Sequence, residues 1–305
     1  MRIATWNVNS LNARMEKVLW WLERAHPDVL LMQETKLADA AVPGEPFTRL
    51  GYELAHHGEG RWNGVAIASR VGLAEIVTNF GNPLAVPAAA AGGGEAEPAV
   101  TSGGEAGDEQ PLREARMIAA LCGGLRVVSI YAPNGRTVGS PFYEAKLAWF
   151  RALSRWLRAK ARPDEPLVVG GDYNVAPTDD DVWSAAACHG GTHVSAPERA
   201  AFQDLCGWGL VDAYRRLHPE KGRYSWWDYR AGNFHKNLGM RIDHLLVTRG
   251  VAERLTWAEI DREARKGKPT PSDHAPVLID VDEPGRPLDA GWTGATERIA
   301  ARRES

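Results

Sequence analysis

The sequence predicts an α+β protein in which sheets pack face to face with helices outside. Two observations predict it. Short apolar runs of strand length recur along the chain and are interrupted by only a few stretches with helical spacing. Several of those runs end in polar, chemistry-bearing residues, and strand ends in a layered fold converge on one rim.

Residues 2–7 (RIATWN) read as the first strand. Met15, Val18, Leu19, Leu22 and Ala25 then recur at helical spacing, and Pro27 stops that helix. Residues 28–33 (DVLLMQ) and 64–69 (GVAIAS) read as buried strands. Residues 116–121 and 125–131 read as a hairpin turning at Gly123-Gly124. Ser140 followed by Pro141 is an N-cap with Pro at the first helical position. Tyr143, Leu147, Phe150, Leu153 and Leu157 mark one apolar face of that helix. Residues 166–171 (PLVVGG) lead into a strand ending at Asp172, and residues 241–248 and 275–281 are late strands.

The stretch 81–111 differs. It holds Gly, Ala, Pro and Glu with almost no large apolar residue, so it cannot bury enough surface to offset its ordering entropy. It reads as a flexible insertion in a single domain spanning 1–283, followed by a peripheral polar tail, 284–305.

Composition narrows the class. Of 305 residues, 44% are hydrophobic and 25% charged, which excludes wholesale disorder. No apolar run reaches bilayer length, and the N-terminus lacks a signal-like apolar region. Three widely spaced cysteines without a CxxC pair argue against a cysteine metal site and fit a reducing compartment. The expectation is a cytoplasmic protein, and the Ala-, Arg- and Gly-rich composition fits a bacterial one.

Five segments place polar groups at strand ends: TWNVNS (Asn7, Asn9), LMQETK (Glu34), SIYAPNG (Tyr131, Asn134), VGGDYNVAP (Asp172, Asn174) and PSDHAP (Asp273, His274). RIDHLL adds Asp243. Glu34 and Asp273 are hard oxygen ligands for Mg2+ or Mn2+, with Asn7 and Asn9 offering carbonyl oxygens. Asp172 can orient or deprotonate a water, and Asn174, Asn134 and Tyr131 can hydrogen-bond phosphoryl oxygens. His274 with Asp243 forms an oriented imidazole–carboxylate pair. That set suits in-line displacement at a phosphodiester by metal-assisted water. Taken singly, each residue has a plainer reading: a strand-end carboxylate is usually a turn residue, and Tyr131 a core aromatic. His56, His57, His189, His193, His218 and His244 are read as structural.

The ordered set WNVNS, LMQETK, YAPNG, GDYN, SWWDYR, RIDHLL and SDHAP closely resembles the exonuclease III / class II apurinic–apyrimidinic endonuclease family, within the endonuclease–exonuclease–phosphatase superfamily. The resemblance runs from Arg2 to about Val281, outside the insertion and the tail. It implies a four-layer αββα sandwich, two mixed sheets flanked by helices, with the site at one rim. It also implies that Glu34 is the main metal ligand, with Asn7 close by and Asp273 a possible second ligand. By the same matching, Asp172 positions or activates water, Tyr131 and Asn174 bind the scissile phosphate, and His274 paired with Asp243 contacts phosphoryl oxygens.

The substrate is read from residues 223–240, RYSWWDYRAGNFHKNLGM, which interleave aromatic and basic side chains. The resemblance places Trp226, Met240 and Ile242 around the pocket for an extruded abasic sugar; related enzymes often carry Trp where this chain has Met240. Arg136 is a candidate groove contact, and Lys36, Arg265, Lys266 and Lys268 candidate phosphate contacts. The expected activity is cleavage 5′ to abasic sites in duplex DNA, with 3′-phosphodiesterase and 3′-to-5′ exonuclease activity, by a monomer. Two readings compete: a phosphodiesterase or phosphatase for RNA or a small phosphorylated molecule, and a non-catalytic damaged-DNA binder. The net charge of −3 does not oppose DNA. Nine of the 39 acids lie in the site (Glu34, Asp172, Asp243, Asp273) or the insertion (Glu95, Glu97, Glu105, Asp108, Glu109), leaving 30 against 36 bases.

Overall fold

The computed structural model describes residues 1–80, 82–83 and 110–304, and alternation along its strands decides the layering. Six strands form one mixed sheet in the order β12 (Leu255–Ile260), β13 (Val277–Val281), β1 (Arg2–Asn7), β2 (Val29–Gln33), β4 (Val65–Ser69) and β3 (Glu53–His57). Seven form the other: β10 (Leu210–Asp212), β11 (Asp243–Thr248), β9 (Leu167–Asp172), β8 (Leu125–Tyr131), β7 (Met117–Cys122), β5 (Ala74–Thr78) and β6 (Asn82–Pro83).

Ile3, Val29, Leu31, Val65, Ile67, Val277 and Ile279 of the first sheet share one buried core with Ile118, Val127, Val168, Leu245 and Val247 of the second. The residues between them face outward. Ala4, Trp6, Leu30, Met32 and Leu278 pack on Val18, Trp21 and Leu22 of the helix Leu11–Ala25. Met117, Val128, Ile130, Val169 and Leu246 pack on Trp149, Phe150, Leu153 and Leu157 of the helix Pro141–Lys160, and on Phe202 and Leu205 of the helix Ala196–Trp208. Period-two alternation with both faces apolar therefore produces four layers, αββα. No helix among the described residues is long and apolar enough to cross a membrane.

Local signals account for the boundaries. Ser140 Oγ accepts from Tyr143 N ahead of Pro141. Gly123 and Gly124 both hold positive φ, 55° and 81°, as a tight hairpin of this twist requires. The late strands start two residues after their expected positions, at Asp243 and Val277, and Pro276 explains the second shift because it has no N–H for the ladder. The strands β3, β5, β10 and β12 and the helix Ala196–Trp208 were not expected. That helix opens on a capping box, in which Ser195 and Glu198 satisfy each other's backbone N–H. Within the expected insertion, Asn82–Pro83 pairs with β5, and Gln110–Arg113 forms a helical turn where none was expected; residues 81 and 84–109 lie outside the described residues. In the tail, Ala290 and Ala295 are buried, and Trp292 donates its indole N–H to the Ile260 carbonyl at 2.8 Å.

Two glycines let β9 pack closely against its neighbours near the end of the strand. A Cβ on Gly171 would stand 1.9 Å from the Ile130 carbonyl oxygen of the paired strand β8, and one on Gly170 2.6 Å from Leu31 and Leu245. Gly171→Ala is therefore expected to destabilise the fold by about 2 kcal/mol or more, since the clash is with backbone that has no rotamer to yield. Chemical denaturation of the variant against the wild type measures the loss.

Candidate active site

The rim is a product of strand direction. β1 and β2 run parallel and end together, as do β8 and β9. Their antiparallel neighbours β13 and β11 begin at the same edge. Asn7, Tyr131 and Asp172 are thus last residues of strands, Glu34 follows β2 directly, Asp243 opens β11, and His274 lies three residues before β13.

Asn7 links the carboxylates. Its Nδ2 donates to Glu34 Oε1 at 2.8 Å and to Asp172 Oδ2 at 3.0 Å. Asp172 is 1% exposed, and its other oxygen accepts from Asn174 N at 2.9 Å. His274 Nδ1 lies 2.9 and 3.1 Å from the two Asp243 oxygens, and its Nε2 is 3.8 Å from Asp172 Oδ2. Lys36 Nζ pairs with Glu34 at 2.8 Å and donates to Asn9 Oδ1 at 2.6 Å. Glu34 and Asn174 both hold left-handed backbone, φ 52°, which turns the chain back at the strand end.

Burial, reinforced by Asp243 and Glu34, pushes the Asp172 carboxyl up to about 7. Burial works the other way on His274, but Asp243 and Asp172 outweigh it and hold the ring protonated, up to about 10. The Tyr131 hydroxyl, buried beside Glu34, is pushed well above its ordinary range. One oxygen or nitrogen from each of Glu34, Asp172 and His274 falls within 4.8 Å of the others. His274 is an imidazolium fixed by Asp243, so it has no lone pair for a metal and contributes a positive charge instead. Glu34 and Asp172 remain, a pair of hard carboxylates that fits Mg2+ with retained waters and a phosphate oxygen.

The metal-ligand candidates Asn7 and Asp273 are both tied into hydrogen bonds. Asn7 turns its amide nitrogen toward Glu34 and Asp172, and its oxygen accepts from Asn9 N at 3.0 Å. Both Asp273 oxygens are occupied, one by Asn9 Nδ2 at 2.9 Å and one by Trp226 Nε1 at 3.1 Å. Asp273 therefore braces the Trp226 indole. Asn134, exposed, donates to Asn174 Oδ1 at 3.3 Å. Arg136 is exposed at left-handed φ, its guanidinium 3.7 Å over the Phe142 ring. Trp226 and Met240 exchange backbone hydrogen bonds and pack over Val182 and Ala176. Ile242 is 2% exposed and underlies that patch instead of lining it. Trp227 is wholly buried. Of the candidate phosphate contacts, Arg265 is buried and donates to the Trp227 carbonyl, while Lys266 pairs with Glu263.

Sequence reading missed the supports. Lys146 is fully buried, its ammonium paired with Glu198 and donating to the Asn174 carbonyl at 2.7 Å. His193 Nδ1 donates to the same carbonyl at 2.6 Å. Burial and the Lys146 charge push that ring down to about 4, so it is neutral. The signal was the capping box at Ser195, which ties this loop to the helix beneath Asn174.

The chain matches the endonuclease/exonuclease/phosphatase family over residues 4–274. It is 31% identical to exodeoxyribonuclease III of Haemophilus influenzae over 291 residues, 91% of this chain and 98% of that protein. An AP endonuclease structure from Archaeoglobus fulgidus superposes with a TM-score of 0.81 at 32% identity, covering 93% of this chain and all of the other. A 3′ phosphatase from Neisseria, solved bound to a product DNA hairpin, gives a TM-score of 0.80 at 35% identity with the same coverage.

The raised Asp172 carboxyl has a measurable consequence in free protein. Its folded value lies above the unfolded one, so its protonated form favours the fold, and that stability is lost as pH rises from about 4 through about 7. Asp172→Asn, which keeps the shape without the charge, should melt above the wild type at pH 8 in EDTA, and the gap should close toward pH 4. Thermal melts across that range test the sign.

Proposed function

The chain belongs to the endonuclease/exonuclease/phosphatase family, in its exonuclease III / AP endonuclease branch, and from that premise we propose that it is a metal-dependent DNA-repair nuclease. It cleaves duplex DNA 5′ to abasic sites and also acts on 3′ ends, as a phosphodiesterase and a 3′-to-5′ exonuclease. Mg2+ is the proposed cation, with Mn2+ able to replace it. The enzyme is proposed to work as a cytoplasmic monomer; its three cysteines are free, in keeping with a reducing compartment.

The observation that carries the reading is the continuous chain Glu34–Asn7–Asp172–His274–Asp243 at a rim bordered by Trp226. A divalent cation, if held at Glu34, would supply positive charge to the phosphate and the leaving oxygen. Asp172, linked to Glu34 through Asn7, orients the attacking water and takes its proton. His274 donates Nε2–H to a phosphoryl oxygen while Asp243 holds its charge and orientation. Tyr131 and Asn174 bind the scissile phosphate, with Asn134 beside Asn174 and Asn9 bracing Lys36 and Asp273 at the margin. Trp226 and Met240 form the apolar patch against an extruded abasic sugar, which is cheap to flip because no base stack is lost.

A second reading weights the 3′ end above the internal abasic site, and the 35% identity to the Neisseria 3′ phosphatase favours it. One assay decides. Duplex oligonucleotides carrying an abasic analogue, a 3′-phosphate or no lesion are incubated with Mg2+ or with EDTA. Cleavage of the abasic strand that EDTA abolishes is expected, and Asp172→Asn should lower it by about 10²–10⁴-fold. Trp226→Ala should weaken abasic cleavage more than 3′-end removal. Inertness on all three substrates would sink the proposal, and activity confined to the 3′-phosphate would establish the second reading.

A further inference from the structure

A second concentration of charge lies between the segment Arg262–Arg265, the helical turn Asn233–Lys236 and the C-terminal helix Ala295–Glu304. Arg262 and Arg265 are 5% and 6% exposed. Each donates to one backbone carbonyl, Arg262 to Phe234 and Arg265 to Trp227, both at 3.0 Å. Both Nε atoms are buried without a hydrogen-bond partner. The carboxylates beside them in the chain are taken, Asp261 by Arg24 and Trp21 and Glu263 by Lys266.

Other buried arginines of this chain are handled differently. Arg2 pairs with Asp280, and Arg241 with Asp181 and Asp212. Arg262 and Arg265 instead have aromatic faces: Arg262 lies 4.2 Å over Phe234, and Arg265 4.8 Å over Tyr229. A ring face attracts a guanidinium but does not neutralise it. The C-terminal helix, which also carries Glu297 and Glu304, brings Arg298 and Arg302 near Arg262. Exposed Arg302 donates to His235 Nδ1 at 2.8 Å. Burial, then Arg298 and Arg302, hold Arg262 down to about 10. Arg298 and Arg302 also lie beyond residues 4–274, where the family match ends.

We infer that this cluster is a phosphate-binding site whose ligand is a backbone phosphate of the bound duplex, flanking the bond that is cut. Arg262 and Arg265 form no ion pair among the described residues, Glu263 and Asp273 being the opposite charges that act on them, and their forked guanidiniums suit an oxyanion. Continuity with the rim selects DNA as its source: Arg265 holds the carbonyl of Trp227, next to Trp226, and its ring partner Tyr229 is exposed and accepts a hydrogen bond from Arg14. The inference rests on the DNA-nuclease reading and adds to it a contact supplied by the C-terminal helix.

The test replaces exposed side chains only, Arg298→Ala with Arg302→Ala, in the full chain. Duplex binding in EDTA is measured against salt, and steady-state cleavage in Mg2+. Because each phosphate contact contributes about 0.9 to the log–log salt slope, the slope should fall by about 1–2 and KM rise several-fold, with kcat unchanged. Lysine at both positions should restore the slope. Inorganic phosphate should raise the melting temperature of the wild type and not of the double alanine variant. Unchanged slope and KM overturn the inference. So does loss of phosphate stabilisation with unchanged DNA parameters, which assigns the cluster to free phosphate. Helix-dependent DNA binding by a protein that cleaves no DNA would overturn the nuclease reading and support this one.

Discussion

The rim is organised around a buried carboxylate. Asp172 ends a central strand at 1% exposure, and no lysine or arginine among the described residues forms an ion pair with it. Its compensation is a set of donors: the Asn7 amide, the Asn174 backbone N–H and the more distant His274 imidazolium. Each donor needs a support. Asn174 is gripped by Lys146 and His193 through its carbonyl, and His274 is held by Asp243, whose own N–H meets the Ser225 hydroxyl. The glycines before Asp172 bring the strand close enough for all of this to meet. The group is left with a carboxyl near neutrality, a condition that suits proton transfer and costs stability.

The supports are themselves buried charges, and they are paired. Lys146 meets Glu198, which also caps the helix Ala196–Trp208, so one carboxylate serves the helix terminus and the site together. Arg241, 1% exposed, bridges Asp181 and Asp212 behind β11. Replacing one member of such a group leaves the others uncompensated, which makes these positions rigid where a surface ion pair would not be. Rigidity there holds the Asn174 and Asp243 ends of the chain Asn7–Asp172–His274 in place.

Much of this was legible in the sequence, for identifiable reasons. The central strands carry Val, Ile and Leu on both faces, so their pattern is strong; four of the motif segments end such strands, one opens a strand and one precedes one. The edge strand β3 and the next-to-edge strand β5 are half exposed and mix His, Glu and Ala, so their alternation is weak. The chemical types at the site were readable because the strand ends announce them. Ligand geometry was not, because an asparagine can offer either end of its amide and an aspartate can face a metal or an indole. Asn7 turns its amide nitrogen to Glu34, and Asp273 turns one oxygen to the Trp226 indole. Ile242 likewise belongs to the right patch but at the wrong depth, since one residue along a strand reverses the face.

The distribution of charge settles how cation and substrate relate. Glu34, Asp172, Asp243 and Asp273 surround one imidazolium and one ammonium, Lys36, so the centre of the rim repels a phosphate unless positive charge is added. The margins do the opposite. Arg136 on Phe142 and Arg14 on Tyr229 present cations laid on or hydrogen-bonded to aromatic residues, suited to the polyanionic strands on either side. On the proposed function, a duplex would be attracted by the edges, and a divalent cation at Glu34 would offset the repulsion at the centre. By linkage the converse also holds: a phosphate seated between the carboxylates strengthens the hold on the cation by the same factor. Metal affinity measured without DNA is therefore a lower bound on the affinity in the complex.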